Sequence, residues 1–211
     1  MDTELSTYLV TEDALAAAGG TPAVVEAAIA GGIDMVQLRE KDRTARERYR
    51  IGREVRAVCA AAGVPMLVND RVDLALALGA DGVHLGAEDL PVAVARELLG
   101  PEAIIGRSVD GADAAAAAAA DGADYVGVGA VYETQTKAVS DAQQAVGTDR
   151  IEAIAAQVEI PVVGIGGITA ARAGAVIAAG AAGVAVVSAI VADPEPQTAT
   201  RRLRAAVAEA R

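Results

Sequence analysis

The stretch Gly79-Ala80-Asp81-Gly82-Val83-His84-Leu85 decides the fold, because it joins a turn glycine directly to a short apolar run. Related turns recur at residues 31–34, 122–125 and 180–183. Glycine at such a position supplies the left-handed residue that ends a helix and returns the chain towards a sheet. The repeat therefore predicts one helix-to-strand unit that is used several times.

Eight apolar runs are predicted as strands, and a helical pattern follows each of them. They do not alternate strictly between apolar and polar residues, as expected for parallel strands covered on both faces. The pattern indicates an α/β protein, a single (β/α)8 TIM barrel over residues 1–211. An open doubly wound sheet is the alternative, although no Gly-x-Gly-x-x-Gly follows the first run. The runs are residues 6–10, 34–39, 65–69, 82–85, 104–107, 125–128, 161–165 and 183–187.

Composition restricts the class of partner. The net charge of −11 argues against nucleic acid or an anionic membrane surface, because phosphate backbones are bound by excess Lys and Arg. A small anion would need locally concentrated cations or a metal. The single cysteine, Cys59, excludes an internal disulfide and is expected to be a buried apolar residue.

The uncharged stretch 173–192 has the length of a membrane span. Its alanines and interrupting glycines instead predict a buried helix, a turn and a buried strand. The acidic segment Met1-Asp2-Thr3-Glu4 lacks the basic character of an export signal. We therefore expect a soluble cytoplasmic protein that acts on small molecules; the sequence does not decide whether it forms a homo-oligomer.

Polar residues gather directly after the predicted strands, whereas the opposite turns carry mainly Gly, Ala, Pro and single Asp residues. The carboxyl ends of barrel strands meet at one mouth, where the loops carry the active site. This asymmetry indicates an enzyme. The residues at the strand ends include Arg39, Lys41, Asn69, Asp70, Asp89, Ser108, Thr134, Thr136, Lys137, Gly167, Val187 and Ser188.

Two carboxylates, Asp70 and Asp89, follow neighbouring strands. Two carboxylates completed by water and phosphate oxygens are a common way of binding Mg²⁺. As an alternative, each could cap the helix that follows it. Both roles can coexist.

Cations are the second group at the strand ends. The chain has two lysines, Lys41 and Lys137, against sixteen arginines. A lysine ammonium is a compact point charge for phosphate oxygens. Together with Arg39, these lysines would suit a metal-bridged pyrophosphate; solvated loop charges are the alternative.

A glycine-rich turn forms the third group. Gly166-Gly167 precedes Ile168-Thr169, and Val187-Ser188 ends the last strand, a place where barrels often bind phosphate. His84, the only histidine, lies inside an apolar run and is expected to support the site rather than act as a base. No Ser/His/Asp arrangement favours acyl transfer.

A series of short motifs runs in order from residue 8 to residue 188. They are Tyr8-Leu9-Val10-Thr11, Gln37-Leu38-Arg39-Glu40-Lys41-Asp42, Val68-Asn69-Asp70, His84-Leu85-Gly86 with Glu88-Asp89, Gly106-Arg107-Ser108, Thr134-Gln135-Thr136-Lys137, Gly164-Ile165-Gly166-Gly167-Ile168 and Val187-Ser188. Together they resemble the thiamine phosphate synthase family. The resemblance implies that hydroxymethylpyrimidine pyrophosphate is joined to thiazole phosphate by a Mg²⁺-assisted dissociative substitution, in which pyrophosphate leaves first.

The resemblance also implies roles for single residues. It assigns the pyrimidine pyrophosphate to Gln37, Arg39, Lys41, Asn69, Ser108 and Lys137, of which Arg39, Lys41, Lys137 and Ser108 are the catalytic candidates. It assigns Mg²⁺ to Asp70 and Asp89, and the thiazole phosphate to Thr134, Thr136, Gly167, Val187 and Ser188. Two features depart from the family pattern: Ala87 stands where Gln is frequent, and segment 138–146 lacks the usual prolines and basic residue.

Three other functions compete with this interpretation. A thiazole tautomerase would use a general base, but Ser108 stands where its histidine would be wanted. Another phosphate-binding barrel, such as an isomerase or aldolase, is a more distant alternative. An aldolase would need a buried Schiff-base lysine, whereas Lys41 and Lys137 lie in polar loops suited to an anionic ligand. A non-catalytic sensor of thiamine precursors would not require the metal and leaving-group residues.

Overall fold

The computed structural model describes residues 5–16, 19–134 and 145–211 and contains a closed barrel of eight parallel strands. Each strand pairs with the next, and the last pairs with the first. This order confirms the predicted (β/α)8 barrel and excludes the open doubly wound sheet. The strands are β1 Thr7–Val10, β2 Met35–Leu38, β3 Met66–Asn69, β4 Gly82–Leu85, β5 Ile104–Val109, β6 Tyr125–Val128, β7 Val162–Ile165 and β8 Gly183–Val186.

Helices follow the strands and cover the outside of the barrel. A short 3₁₀ helix, Asp13–Leu15, precedes the first α-helix. Among the helices in the described ranges, none combines the length and apolarity that a membrane span requires. The α-helices are α1 Gly20–Ala30, α2 Ala45–Ala62, α3 Val72–Leu78, α4 Val92–Leu99, α5 Ala112–Ala120, α6 Gly147–Ala155, α7 Ala170–Ala178, α8 Ser188–Val191 and α9 Pro196–Glu209.

Element boundaries differ from the expected ones in small ways that have physical causes. β2 begins one residue later than predicted, because Asp34 lies in the turn and its carboxylate accepts hydrogen bonds from the Thr7 N–H at 2.9 Å and hydroxyl at 2.7 Å. β5 continues to Val109, so that Ser108 lies within the strand rather than after it. The uncharged stretch 173–192 forms most of α7, β8 and α8, as expected for buried elements.

The aspartate of the recurring turn ties neighbouring strands together. The carboxylate of Asp81 accepts the N–H of Met66 at 2.8 Å, and that of Asp124 accepts the N–H of Ile105 at 2.7 Å. Asp34 makes the same contact with Thr7. These carboxylates satisfy backbone donors where strands begin, which are groups that a buried sheet cannot leave unpaired. The aspartates of the repeated turn therefore stabilise the end of the barrel that lies opposite the mouth.

Two apolar layers hold the fold. The larger lies between the strands and helices and includes the fully buried Cys59, as expected; burial raises the pKa of its thiol to about 12. The smaller fills the barrel interior with residues from several strands, including Tyr8 and Tyr125. The interior is thus a packed core that forms the floor under the mouth.

Closure of the barrel requires glycine at the start of β8. A Cβ on Gly183 would lie 1.5 Å from the carbonyl oxygen of Leu5, next to β1. We predict that Gly183→Ala lowers the free energy of unfolding by about 3 kcal/mol, because backbone atoms must move apart. Denaturant unfolding monitored by circular dichroism measures this change.

Gly174→Ala is the matched control. This glycine lies inside α7, and an added Cβ would meet Ala210 at an ordinary 3.6 Å. Removing a helix-interior glycine should raise the stability by about 0.5–1 kcal/mol. Equal effects of the two substitutions would contradict the role assigned to Gly183.

Candidate active site

A cavity of about 630 Å³ opens at the carboxyl ends of the barrel strands. Every predicted site residue in the described ranges lines it, whereas Thr136 and Lys137 lie outside those ranges, as does most of the atypical segment 138–146. The residues predicted from the sequence therefore share one cavity. Their individual roles stay predictions. The residues brought together are Gln37, Arg39, Lys41, Asn69, Asp70, Asp89, Ser108, Thr134, Gly167, Val187 and Ser188.

β2 and the turn after it supply three of these side chains. Gln37 and Arg39 line the cavity because successive side chains of an extended segment point to opposite sides, and Lys41 lines it from the turn that follows. Between the last two, Glu40 is buried and accepts hydrogen bonds from the hydroxyls of Thr11 at 2.7 Å and Thr21 at 2.9 Å.

Glu40 is a residue that the sequence reasoning missed. Its second carboxylate oxygen accepts the N–H of Asp13 at 2.7 Å, so it anchors the loop after β1 beneath Arg39 and Lys41. Its alternation with these two cations was the available signal. A carboxylate with this many buried partners is a structural anchor.

Two cations of the mouth, Arg39 and Lys41, already contact a carboxylate. The guanidinium of Arg39 contacts Glu12, and the Lys41 Nζ lies 3.4 Å from an oxygen of Asp70. Burial raises the pKa of Glu12, against the opposing effect of Arg39. An anion that enters the cavity therefore competes with Glu12 and Asp70 for the two cations.

Neither aspartate of the predicted metal pair caps a helix. α3 begins after Arg71 and α4 after Pro91, and neither helix has a side-chain hydrogen bond at its cap. The capping alternative for Asp70 and Asp89 is therefore wrong. Their carboxylates have other partners: the Lys41 ammonium for Asp70 and the Gly86 N–H for Asp89.

The two carboxylates approach each other at the mouth. Burial raises the pKa of Asp89, and the neighbouring Asp70 raises it further, whereas the Gly86 N–H, which it accepts at 2.6 Å, and Lys41 lower it. Two such anions side by side are unfavourable unless a cation compensates them. Asp70 also has a φ of +65°, which is uncommon for a residue with a side chain and typical of functional sites.

The donor set fits Mg²⁺. Paired carboxylate oxygens are the hard ligands that this ion prefers. In the part of the chain that the structure describes, no group of three or more His, Cys, Asp or Glu residues forms a further metal cluster. The protein would thus supply Asp70 and Asp89, and water or phosphate oxygens would complete the coordination.

The loop that contains Ala87 is held through its backbone. Arg107 donates to the carbonyl oxygens of Gly86 at 2.5 Å and of Ala87 at 3.3 Å. A departure from the family side chain at position 87 therefore leaves the loop anchored, and Asp89 keeps its place.

Close packing of two loops explains the glycines after β7. Gly167 has a φ of +62°, and a Cβ there would lie 2.5 Å from the carbonyl oxygen of Glu133. The guanidinium of Arg172 lies 4.7 Å from the Tyr132 ring centroid and donates to the Gly167 carbonyl at 2.8 Å. The sequence reasoning missed this contact, which presses the β6 and β7 loops together.

His84 is engaged at both ring nitrogens by side chains of the cavity floor. Its Nδ1 lies 2.9 Å from the Tyr125 hydroxyl, and its Nε2 lies 2.9 Å from the Ser108 hydroxyl. This placement agrees with the expected supporting role. The two buried tyrosines were missed, although they are the only aromatic residues in the predicted strands.

Comparisons with known proteins agree with this geometry. The family model described as thiamine monophosphate synthase matches residues 7–190. The chain is 57% identical over 207 residues to a thiamine-phosphate synthase of Haloquadratum walsbyi, covering 98% of this chain and 93% of the relative. It is 55% identical over 207 residues to the Natronomonas pharaonis enzyme of that name, with 98% and 97% covered.

A solved structure extends the match to three dimensions. The thiamine phosphate pyrophosphorylase from Pyrococcus furiosus superimposes with a TM-score of 0.88 at 38% identity, covering 99% of this chain and 98% of that one. Similarity of this extent includes the strands, the mouth and nearly the whole chain. The chain therefore belongs to the thiamine monophosphate synthase family.

Proposed function

We propose that the chain joins hydroxymethylpyrimidine pyrophosphate to thiazole phosphate, giving thiamine phosphate and pyrophosphate. The reaction is a transfer of a pyrimidinylmethyl group, in keeping with the family. One observation carries the proposal: the carboxylates of Asp70 and Asp89 share a cavity with the cations Arg39 and Lys41. This combination suits a leaving group that departs with several negative charges.

Mg²⁺ would be held by Asp70 and Asp89. When bound, it supplies charge neutralisation to the departing pyrophosphate. Arg39 and Lys41 act on the same charge from the segment after β2, and we assign the same role to Lys137, which lies outside the described residues. As the carbon–oxygen bond breaks, the contacts of these cations with phosphate oxygens strengthen, which favours the transition state over the bound substrate.

The remaining residues orient the two substrates. Gln37, Asn69 and Ser108 line the same cavity as the carboxylate pair and would position the pyrimidine. The thiazole phosphate would occupy the side formed by Thr134, Gly167, Val187 and Ser188, with Thr136 from the undescribed segment. Capture of the pyrimidinylmethyl carbon by the thiazole nitrogen needs no base, consistent with His84 being engaged in the floor.

We also propose that the enzyme acts in the cytoplasm on small molecules alone. The net charge of −11 supports the exclusion of nucleic acid, because phosphate backbones are bound by excess Lys and Arg. A homo-oligomer is compatible with this proposal, because the cavity is formed within one chain.

Pyrophosphate release tests the proposed reaction. We expect release only when both substrates and Mg²⁺ are present, and we expect excess EDTA to abolish it. Release from the pyrimidine substrate alone would contradict the proposed transfer. Failure to release pyrophosphate, combined with binding of thiazole phosphate, would favour the sensor or the tautomerase.

Lys137→Ala tests the electrostatic role assigned to the second lysine. We predict that turnover falls about a hundredfold, the effect of losing one contact that stabilises transition-state charge. The melting temperature should not change. Arg53→Ala, which removes a cation from the exposed face of α2, is the matched control and should keep normal turnover. Near-normal turnover of Lys137→Ala would contradict the role.

A further inference from the structure

A continuous row of five polar side chains crosses the floor of the cavity. Gln37 Nε2 lies 2.6 Å from the Tyr8 hydroxyl, and that hydroxyl lies 2.9 Å from the Tyr125 hydroxyl. The row continues to His84 Nδ1 at 2.9 Å and from His84 Nε2 to Ser108 at 2.9 Å. Gln37 and Ser108 are thus connected through three residues that stand between them.

The row passes through the barrel rather than around its wall. Tyr8 lies on β1 and Tyr125 on β6, strands that do not pair, and their rings meet edge to face with centroids 6.0 Å apart. Both tyrosines are almost completely buried in the interior apolar layer, and burial raises the pKa of each hydroxyl. They are therefore protonated hydrogen-bonding groups at every physiological pH.

Each hydroxyl in the row has one proton to donate, so the direction of one hydrogen bond determines the direction of the next. When the Gln37 amide N–H donates to Tyr8, Tyr8 donates to Tyr125 and Tyr125 donates to His84 Nδ1. A neutral His84 then donates from Nε2 to Ser108, whose own proton points to the cavity. When the amide is turned over, its oxygen accepts from Tyr8 and every direction in the row reverses.

We propose that Tyr8, Tyr125 and His84 form a hydrogen-bond relay that fixes the Gln37 amide and the Ser108 hydroxyl together, as positioning residues for the pyrimidine substrate. In the orientation of the structure, Ser108 offers a proton and Gln37 offers its amide oxygen. These are the complements of a ring nitrogen and an amino group, which an aminopyrimidine ring carries. A ring with an oxo group in place of the amino group would place its acceptor oxygen against the Gln37 amide oxygen, which is also an acceptor.

The energetics favour a functional reason for the row. A floor of phenylalanine and leucine would fill the same space without hydrogen-bonding groups to satisfy. A buried polar side chain destabilises the folded protein unless it has a hydrogen-bond partner. In this row each link is within hydrogen-bond distance. The relay rests on the proposed function, because it assumes that Gln37 and Ser108 contact the pyrimidine.

A double-mutant cycle between Tyr8 and Ser108 tests the relay, since these two residues do not share a hydrogen bond. Tyr8→Phe should lower kcat/KM for hydroxymethylpyrimidine pyrophosphate about tenfold, the scale of a buried hydrogen bond that has lost its partner. The KM for thiazole phosphate should stay unchanged. In a Ser108→Ala background, Tyr8→Phe should have less than about a twofold further effect, because the row is already broken.

The full tenfold loss in both backgrounds would overturn the relay, since the two residues would then act independently. Tyr49→Phe removes the same hydroxyl group from an exposed tyrosine and should leave both KM values unchanged. If Tyr8→Phe fails to fold, Tyr125→Phe breaks the next link and gives the same readout.

The relay and the proposed site can fail separately. If Gln37→Ala and Ser108→Ala both leave use of the pyrimidine substrate intact, the roles proposed for the site are wrong. If these variants are impaired but Tyr8→Phe and Tyr125→Phe are normal, the relay alone is wrong.

Discussion

Pairing of β8 with β1 closes the sheet, and the whole site depends on this closure. In the register that joins the two strands, Thr7 lies beside Val184 and Leu9 beside Val186. Because the ring is closed, the carboxyl ends of all eight strands surround one cavity, and residues from distant parts of the sequence meet there. Glycine at position 183 permits the close approach of the two backbones. The same closure places Tyr8 and Tyr125 across a common interior.

The site places cations beside carboxylates in a strongly acidic chain. Arg39 and Lys41 lie beside Glu12 and Asp70, so their charges are balanced before a ligand enters. If pyrophosphate enters with Mg²⁺, new contacts could replace these ion pairs: the metal would bind the aspartates, and the anion would bind Arg39 and Lys41. Such an exchange conserves the local charge balance. It would allow the mouth to contain two neighbouring carboxylates and still bind an anion.

Much of the fold and the composition of the cavity could be predicted from sequence, because both depend on local patterns. The turn at Gly79 and the apolar run after it define a unit, and the polar residues after each strand must meet once the barrel closes. What the sequence could not provide was contact between strands that do not pair. The link from Tyr8 to Tyr125, the contact of Glu12 with Arg39 and the anchoring by Glu40 depend on register and side-chain direction in three dimensions. The capping hypothesis for Asp70 and Asp89 was wrong for a related reason, since the residues at the N-cap positions are Arg71 and Pro91 instead.

The central claim is that one mouth binds a divalent cation at the aspartate pair and a pyrophosphate at Arg39 and Lys41. Diffraction from crystals soaked with Mn²⁺ and inorganic pyrophosphate tests it most directly, because manganese gives an anomalous signal. The account predicts a peak at about 2 Å from a carboxylate oxygen of both Asp70 and Asp89, with the pyrophosphate contacting Arg39 and Lys41. A metal bound away from the two aspartates, or a pyrophosphate distant from those cations, would contradict it.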